Sequence, residues 1–253
     1  MVDVIKFKYG GVIVNFKGKN VIVTGAAKGI GRAIAIGYAR LGANVVAIDI
    51  LQQELEKTVL DASEYNTKIK GVCISVSDEE AIRKAVRDSV EEFGQIHILV
   101  NNAGLNPGNN FITQKTEEWK RIIDINILGT MYPTQEILPH MIENGYGRII
   151  NLGSVAGEYG LDAFVDYSMT KGAIISFTKA LSKLVGGKGI TVNCVSPGTI
   201  NTISENTIQD ERNTLKRFGT PDELAIAVLF LSSDEASYIK GQNLLADGGR
   251  RST

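Results

Sequence analysis

Short apolar, β-branched runs recur along the chain, separated by longer stretches in which apolar residues return every three or four positions. The runs fall at residues 21–23, 44–48, 72–74, 96–100, 148–152, 191–195 and 243–245. Runs this short and apolar on both faces predict strands of a parallel sheet covered by helices on both sides. The intervening helices announce their starts. Ser77-Asp78-Glu79-Glu80 reads as a capping box, and Thr220-Pro221-Asp222-Glu223 adds proline at the first helical position. Thr116-Glu117-Glu118-Trp119 offers a cap and an acidic first turn, which suits the helix dipole. The pattern predicts helices over roughly 117–142 and 164–185. No linker, repeat or low-complexity stretch interrupts it, so residues 16–253 read as one α/β domain with a doubly wound sheet of about seven strands.

Residues 1–15 stand apart from this alternation. Two apolar runs, 2–9 and 12–16, flank Gly10-Gly11. They suit either a small hairpin added before the first core strand or a loosely packed tail.

Composition narrows the classes of function. A chain of 253 residues with 43% hydrophobic content can build one large core. Its 27 basic and 28 acidic residues nearly cancel and form no basic block, which argues against nucleic acid or an anionic membrane surface as partner. Cys73 and Cys194 are far apart in apolar runs and suggest reduced, packed thiols. With His97 and His140 as the only histidines, a histidine-based zinc site is not expected, nor any other metal. Asp3, Lys6 and Lys8 break up the N-terminal apolar run, unlike a signal peptide, and no run reaches membrane-spanning length. The expected setting is the cytoplasm.

Thr24-Gly25-Ala26-Ala27-Lys28-Gly29-Ile30-Gly31 follows the first strand and opens the first helix. Glycines there permit a tight turn and bring backbone N–H groups to a pyrophosphate at the helix N-terminus. The spacing Gly-x-x-x-Gly-x-Gly differs by one residue from the usual dinucleotide fingerprint, and a merely tight connection would also use glycine. Asp49, about twenty residues on at the end of the second strand, sits where a carboxylate binds a ribose diol. It also suits capping a helix that begins near Leu51. Asp49 would repel a 2′-phosphate and favours NAD, whereas Lys28 would attract one and favours NADP. A carboxylate aimed at the 2′ position outweighs a flexible exposed lysine, so the expected cofactor is NAD, with NADP the alternative.

Tyr167 precedes Lys171 by four residues, which on a helix places phenol and ammonium on one face. A cation beside a phenol favours phenolate, and such a tyrosine can exchange protons with a carbonyl or alcohol.

With these residues assembled, the chain resembles the short-chain dehydrogenase/reductase family over roughly residues 16–250. The turn from Thr24 to Gly31, which includes Lys28 and Ile30, resembles that family's cofactor turn. Asn101-Asn102-Ala103-Gly104 is similar to the segment that closes the fourth strand against adenosine. Asn126, Ser154, Tyr167 and Lys171 match the family's catalytic tetrad. Residues 193–198, through Pro197 and Gly198, match its turn beside the nicotinamide, with Ile200 and the cofactor-contacting Thr202 following. Residues 216–223 and 247–249 match its late signatures.

The resemblance implies a Rossmann-type fold and a role for each residue. Tyr167 would be the acid/base group and Lys171 would hold the nicotinamide ribose. Ser154 would hydrogen-bond the substrate oxygen, and Asn126 would support a water relaying protons to Lys171. Taken singly, Ser154 also reads as a strand-end serine, Asn126 as a bridge across a helix kink and Lys171 as a solvated lysine. Asp166 reads as a surface residue, and His97 and Trp119 as packing. One departure concerns the end of the third strand, where the family often has aspartate and this chain has Ser75 followed by Val76. Another is the short polar stretch between Gly198 and Arg217, including Ser204, Glu205 and Asn206, which implies an open substrate cover.

Expected pocket residues are Leu105, Asn106, Val155, Ala156, Tyr159, Leu161, Phe164 and the cover around Ile203. They contain no basic cluster, which argues against a strongly anionic substrate. The expected function is hydride transfer between a nicotinamide cofactor and a secondary alcohol or ketone, a small-molecule substrate. The alternatives are an NADPH-dependent 3-oxoacyl thioester reductase, a lyase or epimerase on the same scaffold, and a dinucleotide-binding regulator without turnover. Family resemblance implies a homotetramer, or a dimer, built through the helices that carry Asn126 and Tyr167.

Overall fold

A computed structural model describes residues 14–108, 110–203 and 208–250. The proposed hairpin before residue 14 and the cover residues 204–206 lie outside the described residues. Seven strands form one all-parallel sheet in the order β3-β2-β1-β4-β5-β6-β7. They are β1 (Asn20–Thr24), β2 (Asn44–Asp49), β3 (Ile69–Cys73), β4 (Ile98–Asn101), β5 (Gly147–Leu152), β6 (Ile190–Pro197) and β7 (Asn243–Ala246). The helices are α1 (Gly29–Arg40), α2 (Gln52–Ser63), α3 (Glu79–Phe93), α4 (Thr116–Ile123), α5 (Gly129–Glu143), α6 (Val155–Tyr159), α7 (Val165–Leu184) and α8 (Pro221–Ser232).

The strand alternation explains the two cores. Val21 and Val23 of β1, with Val45 and Ala47 of β2, face one layer that holds Ile34 of α1 and Leu229 of α8. Their neighbours Ile22, Val46 and Ile48 face the opposite layer with Ile82 of α3 and Ile137 of α5. A strand buried on both faces therefore reads as a continuous apolar run. The exceptions are the two edge strands, β3 and β7, which have no fully buried residue; β3 also begins three residues before the expected run. Gly37 lets α1 approach α8, since a Cβ there would stand 3.0 Å from Leu229 Cδ1. Tyr38 is fully buried beside it and shares a 2.7 Å hydrogen bond with Ser232.

Chain order along the sheet reverses between β1 and β4, and ligands of such folds bind beyond the carboxyl ends of the strands at that point. Three local expectations need correction. The cap of α3 is Asp78, whose side chain accepts from Ala81 N at 3.0 Å, not Ser77. In α4, Thr116 is already helical; Lys115 is the cap, and Glu118 accepts its N–H at 2.8 Å. The helix expected over 117–142 is split by a π-turn at Asp124–Leu128. Thr220 caps α8 as expected, with Glu223 closing the box.

Candidate active site

The glycine turn connects β1 to α1 over the switch point. Gly25 and Gly29 have φ of 67° and 56°, a region that costs other residues strain. A Cβ on Gly31 would lie 2.0 Å from Gly25 O and 2.4 Å from Asn102 Nδ2, so the turn closes only around glycine. Asn102 locks it from the end of β4, donating to Thr24 O at 3.0 Å and Gly25 O at 2.9 Å. Thr24 Oγ1 in turn accepts from the backbone N–H groups of Asn102 and Ala103, both at 3.1 Å.

Asp49 reaches this turn from β2. Its Oδ2 accepts from Ala27 N at 2.9 Å, while Oδ1 accepts from Ile50 N and Leu51 N at 2.7 and 3.0 Å. The carboxylate thus holds the turn as well as the start of α2, whose cap is Leu51 without a capping side chain. The start of α1 likewise has no side-chain cap and no acidic residue in its first turn. The N–H groups of its first turn thus have no side-chain acceptor, a donor set that fits a pyrophosphate. Lys28 is exposed at the mouth. Thr202 closes over this helix start, with its Cγ2 3.2 Å from where a Gly29 Cβ would stand. Ser75 spends its hydroxyl on Ser77, and Val76 packs so tightly on Gly129 that a Cβ there would lie 2.6 Å from its Cγ2.

The second half of the site stands over β4, β5 and β6. Asn126 sits in the π-turn and is almost fully buried. Its Oδ1 accepts from Leu105 N at 2.7 Å, and its Nδ2 donates to Leu105 O and Thr170 Oγ1, each at 3.0 Å. Lys171 is buried and donates to Leu152 O at 2.7 Å, with its Nζ 5.7 Å from the Tyr167 ring centre. Gly104 runs between them, its missing Cβ 3.4 Å from Asn126 Oδ1 and 3.5 Å from Lys171 Nζ. Ser154 caps α6, accepting from Ala156 N at 3.1 Å, which leaves its own proton free to donate.

Ser154 and Tyr167 open onto one cavity of about 860 Å³, walled also by Gly198 and Ile200. Ile200 is held there by a bridge to Gly219, and Gly198 follows Pro197 at the end of β6, close against Asp247. Hydroxyl donors at a cavity wall beside a buried ammonium can stabilise and protonate an oxygen that gains negative charge.

The fold agrees with what comparison finds. A family model described as "Enoyl-(Acyl carrier protein) reductase" matches residues 25–251. The chain belongs to the short-chain dehydrogenase/reductase family. Among its relatives is the 3-oxoacyl-(acyl-carrier-protein) reductase FabG of Thermotoga maritima, 38% identical over 240 residues, 92% of this chain and 98% of the relative. The protein of the same description from Aquifex aeolicus is 39% identical over 245 residues, 93% and 98% of the two chains. That of Escherichia coli is 37% identical over 243 residues, with the same shares. The chain is therefore an NAD(P)-dependent oxidoreductase.

As a dehydrogenase/reductase it departs from the sequence reading at three places. Asp166 is buried, not on the surface; it accepts from Gln114 Nε2 at 2.7 Å and so ties the loop after Gly104 to the start of α7. Of the expected pocket residues, Asn106, Val155, Ala156, Tyr159, Leu161 and Phe164 line the cavity, while Leu105 and Ile203 do not. The wall also holds Arg212 and Arg250, so the expected lack of basic groups is wrong. Both arginines sit in polar runs that look like solvated loop, and no periodic signal marks them.

Proposed function

We propose that this oxidoreductase interconverts a ketone and a secondary alcohol, with Tyr167 as the acid/base residue. The observation that carries the reading is the shared cavity of Ser154 and Tyr167 above the buried Lys171. The nicotinamide supplies the hydride. Tyr167 gives its phenolic proton to the carbonyl oxygen in reduction and takes it back in oxidation. Ser154 donates to the same oxygen, since its lone pairs already serve Ala156 N. Lys171 spends one N–H on Leu152 O and keeps two, which hold the nicotinamide ribose and return protons to Tyr167. Asn126 keeps Gly104 and Leu105 beside Lys171 and shapes the space for a relaying water. Gly25, Gly29, Ile30 and Gly31 hold the pyrophosphate, and Asp49 takes the adenosine ribose diol. Ser75, Val76, Asn102, Ala103 and Gly104 border the adenosine, and Pro197, Gly198, Ile200 and Thr202 border the nicotinamide.

The cofactor of this reading is NAD, because Asp49, held at the end of β2 by three backbone donors, would repel a 2′-phosphate brought to it. A second reading is NADPH-dependent reduction of 3-oxoacyl thioesters; the relatives' described activity supports its substrate. In both, the chain is one catalytic domain after a short extension, working in the cytoplasm. Among the described residues no helix is long and apolar enough to cross a membrane; Cys73 and Cys194 are free thiols, Cys194 packed as expected but Cys73 exposed on the edge strand β3. A homotetramer is supported by the exposed Met131 and Ile142 on α5 and Val165, Met169 and Leu184 on α7, and light scattering at one chain mass would refute it.

The test is turnover, followed by the absorbance of the reduced nicotinamide. It uses NAD, NADP, NADH and NADPH with ketones, secondary alcohols, polyols and 3-oxoacyl thioesters, with Tyr167→Phe as control. Turnover that survives in Tyr167→Phe overturns the assigned chemistry.

A further inference from the structure

The cavity that holds Ser154 and Tyr167 carries two guanidinium groups that hydride transfer to a neutral ketone does not need. Arg212 is fixed by a buried carboxylate: its Nε donates to Asp210 Oδ1 at 2.6 Å and its Nη2 to Asp210 Oδ2 at 3.2 Å. Nη2 also lies 3.3 Å from Thr199 Oγ1. Arg212 holds the Asp210 carboxyl below the usual carboxylate range, so the pair stays ionised at neutral pH. These bonds use Nε and Nη2 and leave the two N–H groups of Nη1 without a partner among the described residues.

Arg250 is brought to the same wall from the other direction. The bridge between Asn213 and Arg250 pairs the segment after Gly198 with the segment after β7, so the residue beside Arg212 is hydrogen-bonded in register with Arg250. Asn213 is buried and anchored to Arg217 O at 3.0 Å, which makes this corner a fixed part of the wall. Arg250 has no carboxylate partner among the described residues. Among the described residues Asp162 is the one carboxylate lining the cavity, and its Oδ1 accepts the N–H of Ala163 at 2.8 Å. The wall therefore offers one half-used guanidinium and one without a carboxylate partner among the described residues, beside the apolar Val155, Leu161 and Phe164.

We infer that the substrate of this enzyme is an anion, a hydroxy or oxo compound whose carboxylate or phosphate is held by Arg250 and the Nη1 face of Arg212 while its carbonyl oxygen meets Tyr167 and Ser154. This rests on the proposed ketone and alcohol chemistry. A planar guanidinium clamp suits either anion, and the partly enclosed wall strengthens the charge-assisted bonds. The apolar side chains between the two polar ends take the carbon chain.

The test measures kcat/KM for hydroxy carboxylates of increasing chain length, for their methyl esters and for hydroxyalkyl phosphates. It uses the full chain with saturating nicotinamide cofactor, as wild type, Arg250→Gln, Arg212→Gln and Tyr167→Phe. In the wild type the anion is expected to exceed its own ester by roughly tenfold or more, and the anion-to-ester ratio should fall about tenfold in Arg250→Gln, through KM. A preference for carboxylates over phosphates, or the reverse, supports the inference and names the anion. An ester that equals its acid in the wild type overturns it, as does a ratio unchanged in both arginine variants. Where no compound turns over, the same comparison is made by quenching of bound reduced cofactor's fluorescence. Binding of the acids that weakens in Arg250→Gln supports the clamp, and no binding, or equal binding, overturns it. Failure of the chemistry itself reads differently, as turnover of any panel member that persists in Tyr167→Phe.

Discussion

Replacing Asn126 by alanine separates what this side chain holds from what it does in catalysis. Its amide makes three hydrogen bonds: from Leu105 N at 2.7 Å, to Leu105 O at 3.0 Å and to Thr170 Oγ1 at 3.0 Å. Thr170 keeps another partner, because its hydroxyl donates to Tyr167 O at 2.8 Å. The loss therefore falls on the backbone of Leu105, whose N–H and C=O are left half-buried without a protein partner. Each such group costs about 1–3 kcal/mol, so Asn126→Ala should lose about 2–4 kcal/mol after partial entry of water. Leu105 is continuous with Gly104, which lies against Lys171, so the site loosens too. A displacement of about 1 Å in a reacting geometry costs on the order of a hundredfold in rate. Asn126→Asp keeps the acceptor for Leu105 N but sets a carboxylate oxygen against Leu105 O. Burying a carboxylate against a carbonyl oxygen should cost at least as much stability as alanine, and kcat falls too. Urea unfolding gives the stability change from the midpoint at constant slope, and steady-state turnover gives kcat. An alanine variant within about 0.5 kcal/mol of wild type, with kcat within twofold, would refute the bridging role.

Gly31→Ala places a methyl group 2.0 Å from Gly25 O, so the turn must open. Dinucleotide binding, followed by fluorescence of the reduced cofactor, should weaken more than tenfold, with about 1–3 kcal/mol lost in stability. Asp49→Ser removes the charge that opposes a 2′-phosphate, and the NAD to NADP ratio of kcat/KM should fall by roughly tenfold or more. An unchanged ratio means that Asp49 serves only the backbone of the turn. His97 accepts from Asn20 N at 3.0 Å; burial first and the Lys19 charge second push its pKa down to about 4. The folded state resists a proton that the unfolded chain takes up near pH 6.5, so its contribution is complete above that and disappears as pH falls towards 4. The urea midpoint should drop across that window in the wild type and drop less in His97→Gln.

The parallel sheet was legible in the sequence because its central strands are buried on both faces, which writes an apolar run such as 21–23. The glycine turn was legible because steric demand at Gly25 and Gly31 restricts those positions to one residue type. The spacing of Tyr167 and Lys171 was legible because one helix sets their separation, and α7 spans both. Edges and helix interiors were less so. β3 lacks a fully buried residue, and the π-turn at Asn126 is held by a bond to Leu105 that no local pattern announces.

What the tertiary structure alone decided are the pairings between distant segments. Asp166 is buried because Gln114, in a loop before α4, donates to it. Arg212 and Arg250 share a wall because residues 213 and 250 form a bridge across the chain's last turns. A hydrophobic period records which face of one element is dry, and a turn motif records its own backbone. Neither records which side chain from elsewhere arrives opposite, since that is set by the packing of whole elements, and the wall of the cavity is made of such arrivals.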